Sequence, residues 1–154
     1  MKTFFLSMLC LSLLLVPARA QSEIIPDVAA QEKASYEGHC GSILYGPNFI
    51  RDVDFNNDGL VDAIVSHGEV VCDGKKGTTC KPIGCPYNFY IRVAEGGYLF
   101  AANADLYSYD LIKRYGNMVL VLQADGVSCK KPEGETCAMT IRVRGTKFET
   151  ISRK

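Results

Sequence analysis

The chain has 154 residues, 47% of them apolar, and its 17 basic and 17 acidic side chains give a formal net charge of zero. This balance argues against a nucleic-acid partner, because proteins that bind phosphate backbones carry a basic excess. A chain of this length is expected to form one domain around one hydrophobic core.

Residues 1–20 have the pattern of a secretory signal peptide. Lys2 precedes an apolar run over residues 4–16, and Ala18-Arg19-Ala20 places small residues around a cleavage point. The run is too short to span a membrane, and no later segment reaches about 18 uninterrupted apolar residues. The sequence therefore predicts an exported protein, periplasmic or secreted, with no membrane span and with residues 21–154 as its single mature domain.

Six cysteines follow residue 20. An even number of cysteines in an exported chain predicts disulfides, and a zinc site is less favoured because the chain has no CxxC pair. The segments 80–85 and 129–137 each hold Pro and Gly between their terminal cysteines, as a closed turn would. The predicted pairs are therefore Cys80 with Cys85, Cys129 with Cys137 and, by elimination, Cys40 with Cys72.

The remaining chain begins with a short helix and continues as strands. Composition favours a helix from residue 26 or 27 to about 37, with Asp27 as its N-cap. Alternating apolar residues and turn signals then predict an antiparallel sheet or sandwich of about eight short strands, a mainly β fold stapled by disulfides. The pattern leaves the choice between sandwich, half-barrel and propeller-like sheet open. The predicted strands are residues 49–53, 61–66, 89–94, 98–102, 106–113, 118–123, 139–143 and 148–151.

The segment 54–62 has the pattern of a calcium-binding loop. Oxygen-bearing side chains stand at offsets 1, 3, 5 and 9, and Gly59 at offset 6 permits a tight turn. Calcium prefers six to eight oxygen ligands, which a wound loop of this kind can direct toward one centre. The predicted ligands are Asp54, Asn56, Asp58, Asp62 and the backbone carbonyl of Leu60, with Asp52 or water completing the shell.

The loop differs from an EF-hand, because offset 12 is Val65 and the following residues favour a strand over a helix. We therefore interpret it as a loop between two strands that holds a structural Ca²⁺ and offsets the repulsion among its aspartates. The alternative is a polar turn whose Asp and Asn side chains hydrogen-bond to their own backbone.

The run Asp54 to Asp62 between two strands resembles the calcium loop of FG-GAP or VCBS-type repeats. It occurs once here, and the chain is too short for a multi-blade propeller. Together with the 80–85 and 129–137 cysteine pairs, it is similar to small exported proteins of Gram-negative bacteria. This resemblance implies a fold element and a bound calcium ion.

No catalytic residues are predicted. The chain lacks a GxSxG motif, and His39 and His67 are interpreted as structural. Tyr98, Tyr107 and Tyr109 are candidate partner-binding residues, since tyrosine is enriched at interfaces, although a half-buried sheet face would explain them equally well.

The sequence therefore favours a non-enzymatic protein-binding module. The most concrete form is an inhibitor or immunity protein that neutralises a peptidoglycan hydrolase, such as an amidase effector of a type VI secretion system. The alternatives are a calcium-dependent surface or adhesion module of the FG-GAP kind and a small hydrolase whose site the sequence does not reveal.

Overall fold

The computed structural model describes residues 23–154, so the predicted signal peptide lies outside the described residues. The described chain is mainly β, as predicted, but it contains eleven strands, and the prediction of about eight was too low. In chain order the elements are α1 Val28–Ala34, β1 Ile43–Tyr45, β2 Ile50–Val53, β3 Asp62–Ser66, β4 Val70–Cys72, β5 Lys75–Lys76, β6 Cys85–Arg92, β7 Tyr98–Leu106, β8 Ser108–Arg114, β9 Asn117–Asp125, β10 Thr136–Arg144 and β11 Lys147–Arg153.

The helix begins where the sequence predicts. The Asp27 carboxylate accepts a hydrogen bond from the Ala30 N–H at 3.0 Å, which is the N-cap geometry. The helix ends at Ala34, before the expected residue 37. The Ser35 hydroxyl donates to the Glu32 carbonyl at 2.6 Å, and the Tyr36 N–H bonds to the Lys33 carbonyl, so the next helical hydrogen bond does not form.

The strands form three antiparallel sheets. A central sheet has the order β2-β3-β6-β7, a second sheet has the order β11-β10-β9-β8, and a small third sheet has the order β1-β4-β5. The central sheet is covered on both faces. Ile64 and Phe89 share one buried cluster with Leu120 of the second sheet, whereas Val65 on the other face belongs to a cluster with Val28 of the helix.

The predicted strand at 106–113 is two strands in the structure. β7 extends to Leu106 in the central sheet, and β8 begins at Ser108 in the second sheet, with Tyr107 between them. Leu106, the last residue of β7, is buried in the core. The chain therefore passes from one sheet to the other without exposing the Leu106 side chain. The apolar pattern alone does not reveal this crossing, because both strands alternate toward the same core.

The short strands β1, β4 and β5 were not predicted. Each has two or three residues, too few for a visible alternation, and they form by pairing with one another. The disulfide between Cys40 and Cys72 links β4 to the segment before β1.

All three disulfides pair as the sequence predicts. They close loops with sequence separations of 32 residues for Cys40–Cys72, 5 for Cys80–Cys85 and 8 for Cys129–Cys137. Disulfides of this density are typical of proteins that fold in an oxidising compartment. Within residues 23–154, none of the helices has the length and apolar character needed to cross a membrane.

Candidate functional site

The predicted calcium loop joins β2 to β3 and is wound by its own side chains. Asp54 accepts hydrogen bonds from three backbone N–H groups, at 2.7 Å from Asn57, 3.3 Å from Asp58 and 2.9 Å from Gly59. Asn57 and Gly59 have φ values of 66° and 87°, and the glycine at offset 6 therefore serves the tight turn that its position predicts.

The middle of the loop repeats this arrangement. Asn56 Oδ1 accepts from the Asp58 N–H at 3.0 Å, and Asp58 Oδ1 accepts from the Leu60 N–H at 2.8 Å. The Asn56 amide also donates to the second Asp58 oxygen at 2.9 Å. The side chains at offsets 1, 3 and 5 thus satisfy the backbone of the turn.

Asp62 is the buried member of the loop. Its side chain is fully shielded from solvent and accepts from the backbone N–H groups of Phe55 at 3.0 Å, Asn56 at 3.3 Å and Arg92 at 2.9 Å. Burial raises the pKa of Asp62 to about 6, although these three hydrogen bonds oppose the rise. The charge of Asp58 also raises this pKa, so the two carboxylates face a common region.

Asp52 stands apart from the other predicted ligands. It pairs across the strands with Ala63, whereas Asp62 pairs with Val53, and neighbouring positions of a strand point to opposite faces of a sheet. Asp52 therefore faces the helix side of the central sheet, where it lines a cleft with Arg92 and Tyr98. The structure does not bring it together with Asp62.

The loop has the donor chemistry of a calcium site. Its predicted side-chain ligands are three carboxylates and the amide oxygen of Asn56, and oxygen ligands of this kind suit a hard cation. In the described part of the chain, however, the His, Cys, Asp and Glu side chains form no cluster of three that could hold a metal as they are placed. Each predicted side-chain ligand is engaged by hydrogen bonds of the turn, so calcium at this loop stays a prediction.

The three candidate tyrosines lie in three different environments. The Tyr98 hydroxyl accepts from the Arg92 guanidinium at 3.0 Å, and the Tyr107 hydroxyl donates to Asp125 at 3.0 Å. Tyr109 packs edge-on against Tyr87, with ring centroids 5.4 Å apart. They do not form one surface, because Tyr107 lies at the crossing between sheets and Tyr109 points into the space between them.

A buried polar cluster that the sequence did not reveal fastens α1 to the central sheet. Glu32 is 4% exposed, and its carboxylate lies 3.3 Å from Nε2 of His67 and 2.7 Å from the Asn88 amide. It also accepts from the Tyr90 hydroxyl, and Nδ1 of His67 bonds to the Tyr36 hydroxyl. The sequence offered two signals of this cluster, a Glu within a short helix and a His directly after a buried strand. Neither signal identifies the residue that it contacts.

This cluster engages both ring nitrogens of His67. Burial lowers the pKa of His67, while the neighbouring Glu32 charge opposes that effect. Glu69, which lies two residues after His67, is paired with Lys76 at 2.9 Å. The contacts of His67 are those of a structural residue that docks the helix.

An apolar groove of about 450 Å³ lies at one end of the two large sheets. One wall comes from the loop closed by Cys80–Cys85, and another from the 3₁₀ turn Gly126–Cys129 and the loop closed by Cys129–Cys137. Val127 is 63% exposed at this groove. The apolar lining residues are Ile83, Ala104, Leu106, Ala124, Val127 and Met139.

The acidic side chains at the groove are held in place. Asp125 accepts from the N–H groups of Val127 at 3.0 Å and Gly134 at 2.9 Å, which lowers its pKa. Asp105 is paired with Lys81 at 2.9 Å.

Comparison with protein-family models, with curated proteins and with solved structures gave no match to this chain. The inference about its function therefore rests on the geometry described above.

Proposed function

We propose that this chain is an exported, non-catalytic protein-binding module that docks its partner in the apolar groove between the two short disulfide loops. The observation that supports this proposal is the groove itself, which exposes Val127 beside Leu106 and Met139. Apolar concave surfaces with a polar rim are the usual places where one protein receives an anchor side chain of another.

The charges around the groove indicate the chemistry of the partner. Asp125 and Glu133 line it, the third acid, Asp105, is paired with Lys81 outside the lining, and none of the groove residues in the described chain is a lysine or arginine. We therefore expect an anchor that is apolar and is flanked by a basic side chain, since complementary charge steers association and selects partners.

The groove is built to keep its shape. Two of its walls are closed by disulfides, and the Asp125 carboxylate fastens the turn that carries Val127. A surface that is already ordered loses little conformational entropy on binding, so more of the contact energy appears as affinity. This rigidity suits a protein that acts by occluding another.

The most specific form of the proposal is an inhibitor or immunity protein, in the periplasm or secreted, that neutralises a peptidoglycan hydrolase such as a type VI amidase effector. Its support is the predicted signal peptide, the small disulfide-closed domain and the groove. These features suit such an inhibitor but do not identify the partner, because a fold alone does not specify one.

The test uses the mature chain and the hydrolase encoded beside its gene. We expect a one-to-one complex that blocks digestion of purified peptidoglycan, and a loss of affinity of at least tenfold for Val127→Asp. Ile112→Asp is the matched control, because Ile112 is also exposed but lies on β8, away from the groove. No complex with that hydrolase, or equal affinities for the two variants, would contradict the proposal.

The same titration addresses the adhesion alternative. Binding that persists in EGTA supports docking through the groove. Binding to envelope material that requires calcium and is lost in Asp58→Ala would support the adhesion module instead.

A further inference from the structure

A second concave site opens between the central sheet and the second sheet, away from the groove. It is a cleft of about 260 Å³ whose lining residues all carry polar side chains. This is smaller than the roughly 300–1,000 Å³ of sites for drug-sized ligands, so it suits a ligand of about one ring. The lining residues are Asn48, Arg51, Ser66, Glu69, Tyr87, Ser108 and Tyr109.

Ser66 is the most informative of these residues. It is only 7% exposed, yet its hydroxyl makes no hydrogen bond with any of residues 23–154, and it lines the cleft. No solvent-shielded side-chain oxygen or nitrogen of the described residues lacks a hydrogen-bond partner, so the Ser66 hydroxyl keeps contact with water in the cleft, and a ligand can replace that water. The Ser66 hydroxyl is therefore available to a ligand that carries hydrogen-bonding oxygens.

Arg51 brings a positive charge to the same cleft. Its guanidinium lies 5.8 Å from the centroid of the Tyr109 ring. Burial raises the pKa of Tyr109 and the Arg51 charge opposes this rise, which places the two groups side by side. No carboxylate of the described residues lies within 4.0 Å of Arg51.

Among the described residues that line the cleft, the single acidic side chain already has a basic partner. Glu69 is paired with Lys76 at 2.9 Å, so the guanidinium of Arg51 is the charge left to meet a ligand. A guanidinium pairs well with a planar carboxylate, because two parallel N–H groups can bond its two oxygens.

The aromatic residues complete the lining. Tyr87 and Tyr109 are packed edge to face, with their rings at 82°, and both contact the core between the two large sheets. Packed rings of this kind give a rigid apolar surface with polar hydroxyl tips. A ring that is apolar on one face and bears hydroxyls at its edge fits such a lining.

We propose that this cleft binds a monosaccharide acid. Its carboxylate would meet Arg51, its hydroxyls would bond to Ser66, Ser108 and Asn48, and its ring would lie against Tyr87 and Tyr109. This site shares no residue with the apolar groove, so it stands independently of the proposed protein partner.

The test is a titration of the mature protein followed by backbone amide NMR. The probes are glucuronic, galacturonic and N-acetylmuramic acids, with glucose, acetate and inorganic phosphate as comparison ligands. We expect at least one sugar acid to shift the amides of Arg51, Ser66 and Ser108 in a saturable way, at concentrations at least tenfold lower than glucose, acetate or phosphate.

Variants assign the binding to the cleft. Arg51→Met is expected to weaken sugar-acid binding at least tenfold, and Ser66→Ala several-fold. Arg114→Met is the matched control, since Arg114 is exposed at the end of β8 and does not line the cleft. Amide spectra with native dispersion show that each variant is folded.

Three results would overturn the proposal. The first is the absence of a saturable shift with any of the three sugar acids. The second is an affinity for acetate or phosphate equal to that for the sugar acids, which indicates an adventitious ion only. The third is an unchanged affinity for sugar acids in folded Arg51→Met.

Discussion

The side chain of Asn57 is hydrogen-bonded twice to the backbone of Met118, 61 residues away. Its Oδ1 accepts from the Met118 N–H at 2.6 Å, and its Nδ2 donates to the Met118 carbonyl at 3.0 Å. Met118 belongs to β9, so an amide side chain of the predicted calcium loop pairs with the second sheet as a strand would. The loop thereby links the two large sheets.

Two substitutions of Asn57 test how much its hydrogen bonds to Met118, and how much its left-handed backbone conformation, affect the free energy of unfolding. Asn57→Gly loses both hydrogen bonds and should lower the free energy of unfolding by about 1 kcal/mol. Asn57→Ala loses the same two hydrogen bonds and keeps a Cβ at a φ of 66°, where alanine is less well tolerated than asparagine, so we expect a loss of about 2–3 kcal/mol. Urea denaturation measures both, with exposed Asn103→Ala as the control. A loss in Asn57→Ala no larger than that in Asn103→Ala would show that the link contributes nothing.

Calcium should stabilise the protein if the loop binds it. After treatment with EGTA, Ca²⁺ at 100 times its dissociation constant is expected to add about 2.7 kcal/mol and to raise the melting temperature. Asp58→Ala should remove this response, because the Asp58 carboxylate is one of the oxygens exposed on the loop.

Asp110→Ala on exposed β8 is the control for that experiment, and it should keep the full calcium response. A melting temperature that is the same in EGTA and in Ca²⁺ would establish the loop as a self-satisfied polar turn.

The burial of His67 beside Glu32 predicts a loss of stability in mild acid, because burial lowers the His67 pKa more than the Glu32 charge raises it. Burial lowers the pKa of His67 in the folded protein, so the unfolded chain binds the proton more readily. The stabilisation from a neutral His67 is therefore present above the unfolded pKa of about 6.5 and is lost as the pH falls through the lowered value. The other ionisable groups in contact with this pair are Tyr36 and Tyr90.

Unfolding free energies between pH 7.5 and 5 check this prediction. His67→Gln should flatten the pH dependence in this range, even if the variant is less stable throughout. His39→Gln should leave the slope unchanged, because His39 is exposed. A slope in His67→Gln equal to that of wild type would assign the effect to other groups.

The disulfides should differ in what they contribute. In the chain-entropy treatment, a bond across 32 residues stabilises by about 4 kcal/mol and one across 5 residues by about 2 kcal/mol. Cys40→Ala/Cys72→Ala should therefore cost more than Cys80→Ala/Cys85→Ala in urea denaturation without reductant. All four cysteines are half-buried, so packing losses are comparable. The reverse order would mean that the short loop stabilises by contacts of its own.

Local features of the fold could be predicted because their causes are local. Asp27 caps the helix through a bond three residues away, and Gly59 adopts the positive φ that its place in the loop requires. The cysteine pairs 80–85 and 129–137 follow from short spacing with Pro and Gly. Strands β6 and β9 could be predicted because each carries apolar residues at alternate positions along the chain.

Features that depend on distant neighbours were missed. The chain leaves the central sheet at Tyr107, yet the residues on both sides alternate without a break. The small sheet exists because β1 pairs with β4, 25 to 29 residues further along, and strands of three residues carry too little pattern to predict.

The candidate sites show the same division. By itself, the sequence determined a mainly β chain with three disulfides and an oxygen-rich loop, and it predicts export, since spacing, periodicity and export signals are read along the chain. Only the tertiary structure decided that Glu32 meets His67, that two disulfide loops enclose an apolar groove, and that Arg51 and Ser66 share a cleft. Those contacts join residues on different elements, and the pairing of strands, which no local propensity specifies, is what brings them together.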